Sequence, residues 1–132
     1  KERASALAGL TTAGYVYVLS NIGSFGENVF KIGMTRRLEP SDRIRELSDA
    51  SVPFGFDVHA MVYSENAPAL EAAFHTRFAD RSVNHINPRK EFFRVSIAEL
   101  EAFAKENDLK ISFTHVPEAR EYRETLAQRR NV

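Results

Sequence analysis

The chain has 132 residues, with 18 basic and 18 acidic side chains and no cysteine, and this length suits one domain with a single core. Its 43% hydrophobic and 27% charged residues exclude a disordered chain, and the lack of cysteine excludes disulfides and zinc–thiolate sites. No apolar run approaches the about 20 residues of a membrane span, so we expect a cytoplasmic protein without a membrane partner.

The first predicted elements are a leader and an antiparallel strand pair. Residues 1–13 have no initiator Met and no apolar signal-peptide core, and we expect them to be the end of a preceding helix or a linker. "GYVYVLSN" (14–21) predicts a strand that is covered on both faces. The glycines of "IGSFGE" (22–27) predict a hairpin loop. "NVFKIGM" (28–34) is then the return strand, with Lys31 and Gly33 on one face and Phe30 and Ile32 on the other.

A helix, a strand and a second helix follow. "EPSDRIRELSDA" (39–50) predicts a short helix with Arg43 in its first turn. "VPFGFDVHAMVYS" (52–64) predicts a third strand, whose apolar residues Phe54, Phe56, Val58, Ala60 and Val62 share one face. "NAPALEAAFHTRFAD" (66–80) predicts a helix capped by Asn66, with Glu71 and His75 one turn apart on the same side. Its core stripe is Leu70, Phe74 and Phe78.

The last third of the chain repeats this alternation. "RSVNHINPRK" (81–90) is a polar loop, and "EFFRV" (91–95) predicts a fourth strand. "SIAELEAFAKEND" (96–108) begins with a capping box between Ser96 and Glu99. "LKISFTH" (109–115) is a candidate fifth strand, and "PEAREYRETLAQRR" (117–130) predicts a final helix. The order indicates an α+β fold with a small, mainly antiparallel sheet of three to five strands flanked by helices, with a domain at 14–116 and a C-terminal helix at 117–132.

Basic residues concentrate in two windows beside predicted strand ends. Residues 31–45 and residues 77–94 each hold five basic and two acidic side chains. Either window taken singly is explained by a solvated surface. The two together favour a site for a polyanion.

Several side chains have both a structural and a chemical interpretation. Tyr15 and Tyr17 suit a strand packed in a core, or a phenol that acts beside a cation. Lys31 suits a sheet edge, or a phosphate contact next to Gly33, where a backbone can approach closely. Arg43 suits a helix surface or the stabilisation of a pentavalent phosphate. Glu71 and His75 suit an ordinary helix pair, or a Mg²⁺ ligand with a histidine in a secondary role.

Taken in order, these segments resemble the GIY-YIG nuclease superfamily. The resemblance rests on "YVYVLSN", "FKIGMT", an Arg in the next helix, a helical Glu and an Asn in a polar loop, and covers about residues 14–96. It is greatest to a bacterial and phage branch whose second signature reads KIG, whose last strand reads EFF, and whose domain often follows a coiled coil. The resemblance implies roles in phage defence or DNA processing, and it leaves any oligomerisation to regions outside these residues.

The resemblance implies a role for each matching residue. Tyr17 would be the general base or proton relay, Arg43 would grip the scissile phosphate, and Glu71 would bind Mg²⁺ or Mn²⁺. Lys31 stands where the superfamily's second signature has its tyrosine. Further nucleic-acid contacts are expected from Tyr15, Gly33, Arg36, Arg37, His75, Asn87, Arg89 and Lys90.

Two functions are compatible with this pattern. The first is a metal-dependent endonuclease that hydrolyses DNA phosphodiester bonds. The alternative is a catalytically silent nucleic-acid-binding or recruitment module with the same fold, which the lysine in place of tyrosine motivates. A structural or oligomerisation domain is a third, weaker interpretation.

Overall fold

Four strands form one antiparallel sheet in the computed structural model, which describes residues 12–50, 52–87, 90–115 and 117–130. The strands are β1 (Gly14–Ser20), β2 (Val29–Thr35), β3 (Asp57–Ser64) and β4 (Phe92–Arg94), and they lie in the order β3-β1-β2-β4. The α-helices within these ranges are α1 (Ile22–Phe25), α2 (Pro40–Ser48), α3 (Ala67–Arg77), α4 (Ile97–Glu106) and α5 (Arg120–Arg130). A 3₁₀ turn spans Ala79–Arg81. The predicted α+β fold class is confirmed, whereas residues 1–11 of the predicted leader lie outside the described residues.

The sheet is covered on both faces, as the apolar pattern of β1 predicts. On one face, strand residues such as Val16 and Ile32 form the main core with aromatic side chains of α3 and α4. On the other face, Tyr17 and Leu19 pack with Ile44 of α2. Because β1 is central and buried, it holds any side chain on either face in a defined position.

The start of α3 follows from local sequence. The Asn66 side chain accepts a hydrogen bond from the Ala69 N–H at 3.2 Å and caps the helix. Phe74 and Phe78 are buried and Leu70 is partly buried in the main core, which confirms the predicted stripe. Glu71 and His75 lie on the neighbouring side of α3, one residue further along than the core stripe. This side faces β2 rather than the core.

The prediction for the third strand is partly wrong because β3 contains a bulge. β3 begins at Asp57 rather than at residue 52, and its pairing with β1 shifts where Val18 faces Ala60 and Leu19 faces Val58. The inserted residue, His59, is buried between the Ser20 hydroxyl at 2.6 Å and the Thr114 carbonyl. A bulge exchanges the two faces of a strand, and Val58 is therefore exposed.

The predicted hairpin between β1 and β2 is confirmed, whereas the candidate fifth strand is wrong. The predicted hairpin loop contains α1, which Asn21 caps by accepting a hydrogen bond from Ser24 and which ends at Gly26 with φ +86°. Residues 109–115 form no strand, although Leu109, Ile111 and Phe113 all pack against the main core. Their burial alternates as in a strand, but the ladder hydrogen bonds that define a strand are missing. The remaining elements differ only at their ends, with α5 beginning at Arg120 and β4 limited to three residues.

The capping box of α4 is confirmed. The Ser96 hydroxyl accepts from the Glu99 N–H at 3.2 Å, and the Glu99 carboxylate accepts from the Ser96 N–H at 3.0 Å. Among the described residues, we find no helix with the length and apolar character needed to cross a membrane.

Candidate functional site

Tyr17 lies across Gly33, and its ring occupies the space that a side chain at Gly33 would need. They are direct partners in the β1–β2 ladder, on the face that α2 covers. A Cβ atom at Gly33 would lie 2.7–2.9 Å from Oη, Cζ and Cε1 of the Tyr17 ring. Only glycine therefore lets the ring lie over β2, and the phenol is directed across the strand toward its outer edge.

The phenol of Tyr17 has a cation as its partner. The residue is 1% exposed, and the Arg43 side chain from the first turn of α2 lies close enough to its hydroxyl to lower the pKa of Tyr17. Burial raises the pKa of Tyr17 above its ordinary value of 10.0, which outweighs the lowering by Arg43. The charges of Glu91 and Glu71 raise this pKa further. At neutral pH the phenol is therefore protonated.

Lys31 is held on the same side of the sheet by two contacts. Its ammonium donates to the Glu91 carboxylate at 3.2 Å and lies 5.2 Å from the centroid of the Phe92 ring. Only 12% of its side chain is exposed. Lys31 is therefore a positioned cation and not a mobile surface lysine.

Glu71 faces a second carboxylate. Partial burial, followed by the charge of Glu91 and a hydrogen bond to it, raises the pKa of Glu71 to about 7, while Lys31 lowers it. Two carboxylates this close share a proton or a cation, because both cannot ionise freely. This pair lies where β4 begins, at the outer edge of β2.

His75 completes the group from one turn further along α3. Its Nε2 is 2.6 Å from the Ile32 carbonyl oxygen, and its ring packs against Phe93. The ligand atoms of Glu71, His75 and Glu91 all lie within 4.8 Å of one another. Among the described residues, Lys31 forms the ion pair seen with these carboxylates. Carboxylate oxygens are the donors that divalent cations such as Mg²⁺ and Mn²⁺ take. The residues present thus fit a divalent metal ion.

The structure therefore brings together six of the residues singled out in the sequence. They are Tyr17, Lys31, Gly33, Arg43, Glu71 and His75.

Two other predicted residues, Tyr15 and Arg37, contact partners outside these six residues. Tyr15 packs edge-to-face with Tyr63, with ring centroids 5.6 Å apart. In the loop after β2, Arg36 is exposed, and Arg37 pairs with Glu46 of α2 at 2.5 Å. Glu46 also pairs with Arg43 at 3.5 Å.

The loop before β4 carries the remaining predicted residues. The Asn84 side chain accepts from the N–H of Asn87 at 2.9 Å, and Asn87 is half-buried. Lys90 is exposed directly before Glu91, and Arg89 lies outside the described residues.

Glu91 is the site residue that sequence reasoning did not reach. It was recognised only as the first letter of the "EFF" strand. The signal that could have found it is an acidic side chain at the start of an edge strand whose following residue, Phe92, pairs with Lys31. That pairing register could not be read from the sequence, because a polar loop of unknown path precedes the strand.

The fold and this cluster define a small α+β domain in which a buried tyrosine lies near a partly exposed arginine and two carboxylates. The sequence of the T5orf172 domain matches residues 14–108, and the chain belongs to this family, which is linked to nuclease-like phage proteins. Neither the curated proteins nor the solved structures contain a significant match to the chain.

Proposed function

We propose that the chain is a metal-dependent endonuclease domain that hydrolyses DNA phosphodiester bonds, in the manner of GIY-YIG nucleases. The observation that carries the proposal is the placement of two carboxylates, Glu71 and Glu91, beside the Tyr17–Arg43 pair. A carboxylate pair repels a phosphate backbone unless a cation lies on it. A site that only bound DNA would have no use for this pair.

Membership of the T5orf172 family supports the proposal in general terms, because that family is linked to nuclease-like phage proteins. The resemblance of the motifs to the GIY-YIG superfamily supports it in detail. The basic loops with Arg36 and Lys90 suit contacts to the nucleic-acid backbone on either side of the site.

The side chains have distinct roles in the proposed reaction. Arg43 donates to the phosphate that is cut, where negative charge increases in the transition state. Tyr17 acts as a relay, because a protonated phenol accepts a proton from the attacking water only as it passes its own proton to a second water molecule. The water oxygen forms the new bond to phosphorus, the bond to the leaving sugar oxygen breaks, and that oxygen takes a proton from solvent.

Lys31 would take the place of the second-signature tyrosine as a fixed cation near the phosphate. Glu71 would hold a divalent metal ion such as Mg²⁺ or Mn²⁺, and the ion would supply neutralisation of the charge on the phosphate.

A cleavage assay tests the proposal. Supercoiled plasmid and labelled oligonucleotides are incubated with the wild type and with Glu71→Ala, in Mg²⁺, Mn²⁺ or EDTA. We expect metal-dependent products from the wild type and none from the variant at equal folded concentration. Glu106→Gln, an exposed carboxylate at the end of α4, is the matched control and should cut normally. Equal cutting by Glu71→Ala would refute the role of Glu71.

A second candidate is a catalytically silent nucleic-acid-binding or recruitment module. The observation that favours it is the closed state of the site, with Tyr17 buried and Lys31 bound to Glu91. It predicts salt-dependent DNA binding that needs Arg43 but yields no products in any metal. The same incubations, followed by a binding measurement, separate the two functions.

A further inference from the structure

We propose that the metal site is a three-ligand centre in which Glu71, Glu91 and His75 coordinate one ion, and that it selects Mn²⁺ over Mg²⁺. The use of this ion in DNA cleavage rests on the proposed function, whereas its binding by the free protein does not. Neither the family match nor the motif pattern assigns Glu91 or His75 to a metal.

The first argument is geometric. Two ligands come from adjacent turns of α3, and the third comes from the residue before β4. Their donor atoms lie within 4.8 Å of one another, although Glu91 is twenty positions from Glu71 in the chain. Three donors that converge from two elements leave the remaining coordination positions of an ion open to water or phosphate oxygens.

The second argument concerns the tautomer of His75. β4 ends its pairing with β2 at the Glu91 carbonyl, which accepts from the Ile32 N–H at 3.0 Å. The Ile32 carbonyl accepts from His75 Nε2 at 2.6 Å. A neutral imidazole that donates from Nε2 has its lone pair on Nδ1. Metal-binding histidines are commonly oriented in this way by a backbone carbonyl.

The third argument is that the site already holds a cation. Lys31 donates to Glu91 at 3.2 Å and compensates one of the two carboxylates. An ion that coordinates Glu91 must compete with this ammonium. Lys31 therefore lowers the affinity of the free protein for the ion, and becomes free to contact phosphate when the ion binds.

The ligand set determines the selectivity. Mg²⁺ prefers oxygen ligands and keeps several of its waters, so an imidazole adds little to its affinity for a site. Mn²⁺ accepts carboxylates as Mg²⁺ does, and as a softer transition-metal ion it binds imidazole more strongly than Mg²⁺ does. Two carboxylates with one imidazole thus favour Mn²⁺.

The experiment is a Mn²⁺ titration of the 132-residue chain without DNA, followed by electron paramagnetic resonance, with Mg²⁺ as competitor. We expect one bound Mn²⁺ that excess Mg²⁺ displaces poorly. Glu71→Gln, Glu91→Gln and His75→Gln should each weaken binding at least about 10-fold, and Glu106→Gln should not change it. Retention of the circular dichroism spectrum and of a cooperative melting transition shows that each variant is folded.

Two further results make the test independent of loss of fold. Electron spin-echo modulation should detect one imidazole nitrogen on Mn²⁺ in the wild type and none in His75→Gln. Lys31→Met should bind Mn²⁺ more tightly, because the competing ammonium is gone. Absence of the nitrogen signal, its persistence in His75→Gln, or equal Mn²⁺ affinity in that variant would overturn the three-ligand centre. Unchanged or weaker binding by Lys31→Met would overturn the competition.

This inference and the proposed function fail separately. Mn²⁺ binding with the expected ligand dependence but no DNA products would support the centre and count against the nuclease. A different result would support the nuclease and overturn the centre. In that case cleavage depends on Glu71, but Mn²⁺ affinity does not change when Glu91 or His75 is replaced.

Discussion

Replacing Glu71 with Gln should make the metal-free protein more stable at neutral and alkaline pH. The pKa of Glu71 is raised from 4.5 to about 7, chiefly by burial and then by Glu91. Between these pH values the native chain holds more protons at this site than the unfolded chain, so the free energy of unfolding falls as pH rises. The glutamine amide keeps a hydrogen bond to Glu91 without the repulsion.

The size of the effect follows from the same values. The difference between 4.5 and about 7 corresponds to at most about 3.5 kcal/mol, at about 1.4 kcal/mol per pH unit. Glu71 is partly open to solvent, which screens the interaction, and we expect Glu71→Gln to gain about 1–2 kcal/mol at pH 8. At pH 4, where the wild-type carboxyl is protonated in both states, the two proteins should be equally stable.

Urea unfolding in EDTA, repeated from pH 4 to pH 8, measures this difference. Glu99→Gln is the control with the opposite sign, because the hydrogen bond from Arg81 lowers the pKa of Glu99. That substitution should destabilise the protein at pH 8 and lose its effect as pH falls. A Glu71→Gln protein that is no more stable than the wild type at pH 8 would refute the carboxylate pairing.

The remaining predictions concern packing, chemistry and capping. Gly33→Ala places a methyl group 2.7–2.9 Å from the Tyr17 ring and should cost about 1–3 kcal/mol in urea unfolding; a loss under about 0.5 kcal/mol would mean that the ring is not packed there. Arg43→Lys keeps the charge but removes the guanidinium geometry, so cleavage should fall at least about 100-fold with little change in melting temperature; near-normal cutting would contradict its phosphate role. Asn66→Ala should cost about 1 kcal/mol and Asn66→Gly only a few tenths, because the cap hydrogen bond to Ala69 is lost while the extended backbone suits glycine; equal losses would argue against the cap.

Local features of the sequence determined most of the fold. The two-sided apolar run of β1, the cap and stripe of α3, and the capping box of α4 are periodic or short-range signals, and each was predicted correctly. The face of β2 that carries Lys31 and Gly33 followed from the two-residue period of a strand. The placement of Glu71 and His75 on one side of α3 followed from helical spacing.

Only the tertiary structure decided how these elements meet. The bulge at His59 depends on partners 39 and 55 positions away, so the alternation of β3 could not reveal it. Residues 109–115 alternate as a strand does, yet their side chains pack without a hydrogen-bonded ladder. Glu91 joins Glu71 because β4 starts beside Lys31, and that register is set by the packing of a whole strand rather than by its own sequence. The sequence thus determined which side chains were available for chemistry. The pairing register of β4 with β2 determined which of them lie together in the site.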